Sequence, residues 1–432
     1  MQAMLLKKLR WSRTESYPLF LARLFALLSL CAVPVSTAGV NLGSGIVLFF
    51  ALLSPEAWKA CRKLRASPAS IAALILFIAL ALSLTYSAAG RDEAVNFLMK
   101  YRKLLLLPVL FLVFHGSDRT MWGRASIWAL FTTLTFTMVL TYTNFLGWTA
   151  VGPLHGNDAI TKPWVFKDHI SGGLMMAFLV CMSMALASAA RRGIAKWLLY
   201  GVALLALVNV LFVLQGRTGQ VVAIGYMAIF VFVQLARSMQ QNKRTRWITT
   251  MAAIVGCICV VCYAFMAKDS RLAETGQEIN QFEVHNKDTS VGVRLEFYRR
   301  SSELILMRPV VGFGVGSVRT EFELLAKNST GGRAAMAGNP HNEFFLMGVQ
   351  LGLVGIALFV WFLVAVEREC RRLERLERTV VYGYLFAFVL GCFANSLLLN
   401  FTEGNLFIFL TGILLFSGRR RSDRTPQAAI AK

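Results

Sequence analysis

"MAGNPHNEFFLMGVQLGLVGIALFVW", residues 336–361, sets a polar cluster directly against an apolar run. From Phe344 onward the run has the roughly 20 residues that cross a bilayer as a helix. Asn339 reads as the N-cap and Pro340 as the first helical position, which puts His341 in the first turn. There the positive end of the helix dipole disfavours imidazolium, so the ring stays neutral and able to accept a proton. That is the state a general base requires, and a capping or interface histidine is the plainer alternative.

The rest of the chain repeats the apolar half of this pattern. Of 432 residues, 56% are apolar and only 16% charged, and the mean hydropathy is +0.58. Soluble domains carry about 25% charged residues, so the composition predicts an integral membrane protein. About twelve apolar runs are long enough, or nearly so, to span. They fall near 18–37, 41–58, 69–88, 103–116, 124–146, 170–190, 196–214, 220–236, 248–267, 344–366, 380–400 and 404–417. None shows the period-two alternation of a membrane barrel, so the fold class is an all-α polytopic membrane protein.

The formal charge of +22 is placed, not diffuse. With both termini inside, the cytoplasmic segments hold Lys7, Lys8, Lys59, Arg62, Arg191, Arg192, Arg371, Arg372, Arg419 and Arg420, among others. This positive-inside bias sets the orientation and removes the need for a nucleic-acid partner. The first run, with Arg23 snorkelling near its inner end, is too long for a signal-peptide core and reads as an uncleaved helix. The eight cysteines sit in helices or inner loops, so neither a disulfide framework nor a metal cluster is expected.

In this layout residues 1–267 carry helices one to nine, 268–340 form an outer helical segment, 341–418 carry helices ten to twelve, and 419–432 are a basic tail. Within the outer segment, "VGVRLEFYRRSSELILMRPVVG" has helical spacing, Pro309 stops the helix, and "GFGVGS" makes a turn-rich crossing. That glycine run imitates a dinucleotide fingerprint but has no preceding strand.

Guanidinium groups gather at the outer side. "LQGRTGQVV" puts Arg217 in a very short turn directly before a helix, where it needs an anion or a wet cavity, or else snorkels to the interface. Arg294, Arg299 and Arg300 add planar donors that match phosphate oxygens in bidentate fashion. Arg91, Lys100, Arg102 and Lys103 break the charge rule on a predicted amphipathic surface helix, which fits either an anionic ligand or a solvated loop. No His-x-x-x-His, Asp-x-Asp or carboxylate cluster stands in the outer loops, so nothing calls for a metal.

His341 and Asn342, followed after nine residues by Gly352 and then by Gly355, together with "RPVVGFGVGS" and the "GRTG" turn, resemble the O-antigen ligase family, which is related to the O-antigen polymerases. The resemblance extends over nearly the whole chain in span count and in the place of the large outer segment. It implies a GT-C-like, metal-independent, inverting glycosyltransferase without cofactor in the bacterial inner membrane, its active site periplasmic. It further implies an undecaprenyl diphosphate-linked polysaccharide as donor and the lipid A core as acceptor. His341 would be the catalytic base; Arg217, Arg294, Asn342, Arg299 and Arg300 would bind the donor diphosphate, and Lys100, Arg102 and Lys103 would meet acceptor phosphates. In the family an arginine is followed four positions later by leucine; here Val221 follows Arg217 and Tyr298 follows Arg294. Polymerase and protein O-glycosylase are the alternatives within the superfamily. A transporter or flippase would instead predict inverted repeats and broken helices at the midplane.

Overall fold

A computed structural model describes residues 15–117, 119–153, 158–190, 193–238, 251, 290–327 and 338–417. The expected run 248–267, the first part of the outer segment, the basic tail, and Cys257, Cys259 and Cys262 lie outside the described residues, Met251 excepted. The described residues are helical, with no β-strand among them.

The helices are α1 Tyr17–Ala32, α2 Thr37–Leu52, α3 Pro55–Cys61, α4 Pro68–Leu82, α5 Arg91–Lys100, α6 Leu106–Phe114 and α7 Arg119–Phe145. Then follow α8 His169–Ala189, α9 Ile194–Val208, α10 Arg217–Ser238, α11 Ser290–Met307, α12 Val318–Lys327, α13 Glu343–Cys370, α14 Arg375–Cys392 and α15 Phe401–Ser417. Local chemistry sets several starts. A serine followed by proline opens α3 and α4, where the Ala57 and Ser70 amides each donate to the capping hydroxyl, of Ser54 and Ser67, at 3.3 Å.

Among the described residues, five stretches are long and apolar enough to cross a membrane: Pro68–Thr85, Met121–Phe145, His169–Ala189, Ile194–Val213 and Glu343–Cys370. The pair α2 and α3 would make a sixth but bends by 84°, and α1, α10 and α15 are shorter apolar helices. The surface agrees with lipid as solvent. Leu42, Leu198, Leu204 and Phe232 are exposed apolar side chains on helices, a pattern that soluble monomers avoid. The chain is thus a multi-pass membrane protein.

The core forms around α15, which is buried from Thr402 to Ser417 and is packed by α1, α6, α7 and α14. A helix apolar on all sides belongs there. On one flank α8 packs against α9, α10 and α14; on the other α4 packs against α13. Arg23 departs from expectation. It is buried rather than snorkelling, its Nε donating to the Val113 carbonyl at 2.8 Å while Nη1 pairs with Glu15 at 2.7 Å.

Two expected boundaries move. The run 380–400 ends as a helix at Cys392, and residues 393–400 form a separate, largely buried turn. The run 344–366 contains a break at Gly352, whose φ of 63° and ψ of −154° are non-helical. The expected crossing after Pro309 fills that break. Phe313 and Gly314 donate to the Val349 and Gln350 carbonyls at 2.8 Å, and the Leu353 amide donates to the Pro309 carbonyl at 2.7 Å. A Cβ on Gly352 would lie 2.4 Å from the Val310 backbone, so only glycine lets the two chains meet. The break leaves backbone groups without helical partners, and the outer segment supplies them.

Candidate active site at the start of the broken helix

The N-cap of α13 is Asn342, not Asn339. Its Oδ1 accepts from the Phe344 and Phe345 amides at 2.9 and 3.2 Å, and its Nδ2 donates to the Phe393 carbonyl at 3.0 Å. Asn342 therefore spends its amide on capping and on tethering the 393–400 turn. His341 consequently precedes the helix instead of sitting in its first turn. It has a φ of 53°, and the other non-glycine residue with positive φ among the described residues is Gln215, in the Arg217 turn. Backbone strain at both expected motifs is the kind that surrounding structure must hold in place.

What holds it is visible. Asn339 Oδ1 accepts from the His341 amide at 2.9 Å and from the Ser396 hydroxyl at 2.6 Å. The Tyr298 hydroxyl donates to the Phe393 carbonyl at 2.8 Å and lies 3.4 Å from the His341 carbonyl. The Phe297 ring lies nearly parallel to the imidazole, 21° off at a centroid distance of 6.1 Å. Arg294, one turn before Tyr298 on α11, is within electrostatic reach of both His341 and Tyr298.

The imidazole is held below its ordinary pKa, first by burial and then by the Arg294 charge. A side-chain hydrogen bond with Asn395 opposes them. Asn395 is thus within hydrogen-bonding reach of the ring. Burial and a guanidinium, not a first-turn dipole, are what hold the ring's pKa down.

Asn395 also joins the second motif, because its Nδ2 donates to Thr218 Oγ1 at 3.0 Å. Thr218 follows Arg217, the first residue of α10. Here the "GRTG" glycines permit backbone contact with the start of α8. A Cβ on Gly219 would lie 2.5 Å from the Gly173 carbonyl carbon. The Arg217 turn and His341 are therefore linked through one residue, Asn395, that sequence reasoning misses, while Arg294 acts on His341 directly. The signal available for it is the polar pair Asn395–Ser396 inside an apolar run, where polar groups are costly.

The remaining candidates separate. Arg299 is exposed. Arg300 is buried and staples α11 to α12, with its Nε 2.8 Å from Glu296 Oε1 and its Nη1 3.3 Å from the Phe322 carbonyl. Lys100, Arg102 and Lys103 line a cavity of about 1480 Å³ together with Asn41, Arg319 and Asn339. Leu48, Leu105, Leu106 and Val109 add an apolar lining, and an apolar groove on α2 shares Asn41 and Gly45 with the cavity. Asn339 is common to this cleft and to the His341 backbone bond, so the two are neighbours. Lys103 differs from its companions. It is 4% exposed, and its Nζ donates to the Leu399 and Asn400 carbonyls at 3.1 and 2.5 Å. Among the described residues, no group of three or more His, Cys, Asp or Glu could hold a metal ion.

No curated protein matches the chain. Residues 202–360 match the family model described as O-Antigen ligase, a stretch that runs from α9 through Arg217, Arg294 and His341 to the far side of the Gly352 break. Over these residues the chain is similar to the O-antigen ligase family.

Proposed function

We propose that the protein is an inverting, metal-independent glycosyltransferase that moves a polysaccharide from undecaprenyl diphosphate to a sugar hydroxyl of the lipid A core. The reaction runs on the periplasmic side of the bacterial inner membrane, in a chain of about twelve spans with both termini cytoplasmic. One observation carries the reading: His341, its pKa lowered by burial and by Arg294 and its ring within reach of Asn395, stands beside a cation-lined cleft with apolar lining.

The acceptor oxygen attacks the anomeric carbon from the face opposite the diphosphate, and its proton passes to a ring nitrogen of His341. The bond between the anomeric carbon and the phosphate oxygen breaks, and the diphosphate leaves with the electron pair. Arg217 and Arg294 neutralise the charge that grows on it, as preorganised donors do in other group transfers. The diphosphate is already a good leaving group, so no nucleotide is needed. In the cleft, Lys100 and Arg102 attract acceptor phosphates, while Leu48, Leu106, Val109 and the α2 groove take its acyl chains.

The test is transfer by purified protein from a lipid-linked donor to lipid A core, followed on a gel. Wild type yields ligated product, and His341→Ala lowers the rate by about 10²- to 10⁴-fold while remaining folded. Wild-type rates in that variant remove His341 from its role. Product formed only when a second lipid-linked glycan is the acceptor turns the assignment to a polymerase.

A further inference from the structure

Glu343 is a fully buried carboxylate that the transfer step does not use. It opens α13 two residues after His341, where the helix N-terminus favours a negative charge. Its Oε2 accepts from the Leu398 and Leu399 amides at 2.8 and 3.2 Å, and its Oε1 accepts from the Tyr101 hydroxyl at 3.2 Å. Lys103 binds the same turn through the Leu399 and Asn400 carbonyls. The opposite charges of Glu343 and Lys103 act on one another across it.

Two acidic acceptor bonds and two ammonium donor bonds therefore clamp residues 398–400. Just before them, the same turn presents Asn395 to the imidazole and to Thr218, and Ser396 to Asn339. A buried charge is tolerated only where such bonds repay its desolvation, so this arrangement needs every strut present.

We propose that Glu343, with Tyr101 and Lys103 in support, is a positioning residue: it holds the 393–400 turn so that Asn395 orients His341. The inference rests on the transferase reading for its kinetic part. It also ties the cleft to the reacting end, because Lys103 lines the one and anchors the turn that serves the other.

Full-length Glu343→Gln and Tyr101→Phe are purified in nanodiscs and compared with wild type in two measurements. Gln keeps the size but turns one acceptor into a donor that faces an amide or the Tyr101 hydroxyl; Phe removes a single bond. Hydrogen exchange of a peptide covering 396–400 quickens at least about tenfold in Glu343→Gln and less in Tyr101→Phe, while a peptide inside α15 is unchanged. Transfer kinetics show kcat lower by about tenfold or more with KM for donor and acceptor held within about twofold. Unchanged exchange at 396–400, or faster exchange with wild-type kcat, overturns the proposal. If Glu343→Gln does not fold, Tyr101→Phe is judged by the same two criteria. A wild type inactive with every lipid-linked donor defeats the transferase reading alone, and the exchange result then decides whether Glu343 holds the turn.

Discussion

The surroundings of His341 and the cleft beside it treat polar side chains in opposite ways. Around His341, Asn339, Asn342, Asn395 and Ser396 are each committed to a neighbour at 2.6–3.2 Å or, for Asn395, to the imidazole as well. In the cleft, Arg102 makes an exposed bond to Asn41 at 2.9 Å, Lys100 lies 5.0 Å over the Phe97 ring, and Arg319 approaches Glu93 only to 3.9 Å. Exposed contacts of this kind contribute little, roughly 0–1 kcal/mol each. One region is set before substrate arrives, and the other keeps its charges ready to be rearranged by it. That division suits a reaction in which one end must place a single proton while the other grips a large, variable lipid.

The sharpest way to break this contrast is within α11. Arg294→Gln removes the guanidinium beside the imidazole, and kcat/KM falls by about 10²- to 10³-fold. Arg299→Gln, on the exposed side of the same helix, costs less than about threefold. Equal losses from the two would mean that α11 contributes charge alone and not position.

In the cleft the expected effect is smaller and of another kind. The double variant Lys100→Gln, Arg102→Gln raises KM for the lipid A core by about tenfold and leaves kcat near wild type, since these groups bind ground state and transition state alike. The wild-type KM rises with added salt, and the double variant loses most of that dependence. A fall in kcat instead would move these residues to the reacting end.

The smallest effect is in pH. A depressed folded-state pKa keeps the base neutral below its ordinary value of about 6.5, so the acid limb of kcat/KM lies below that value. Arg294→Gln removes a depressing charge and moves the limb up; Asn395→Ala removes a bond that favours the charged ring and moves it down. The linked contribution to stability is present above the unfolded pKa and is lost as pH falls through the folded one. Both shifts are within about one pH unit, and shifts of the same sign would dissolve the assigned hydrogen bond.

Apolar runs are legible in the sequence because hydropathy reads composition, and composition marks a span: 170–190 becomes His169–Ala189, and 69–88 becomes Pro68–Leu82 with one further turn. Ends are harder. Leu397, Leu398 and Leu399 carry the run 380–400 past Cys392, although the Leu398 and Leu399 amides serve Glu343 and the Leu397 amide serves the Asn395 carbonyl instead of a helix. Two asparagines three residues apart both suit an N-cap, and the Asn-Pro pair favours the wrong one. The choice falls to Asn342 because its side chain reaches the Phe344 and Phe345 amides. Asn395 is invisible for a different reason: it meets His341 only through tertiary folding, from the turn beyond the next helix. The convergence of Arg294 with His341 was readable as chemistry, while the residue that connects them to the Arg217 turn needed coordinates.

The interruption at Gly352 divides α13 into two rods. The apolar residues 353–366 extend roughly 21 Å at 1.5 Å per residue, about two thirds of a hydrocarbon core, before the charged Glu367 and Arg368. The first rod completes the crossing, and its pose is dictated by hydrogen bonds from the segment after Pro309. Hydrophobic mismatch can tilt the second rod as the bilayer thins or thickens, and the joint at Gly352 can take up that tilt before it reaches His341.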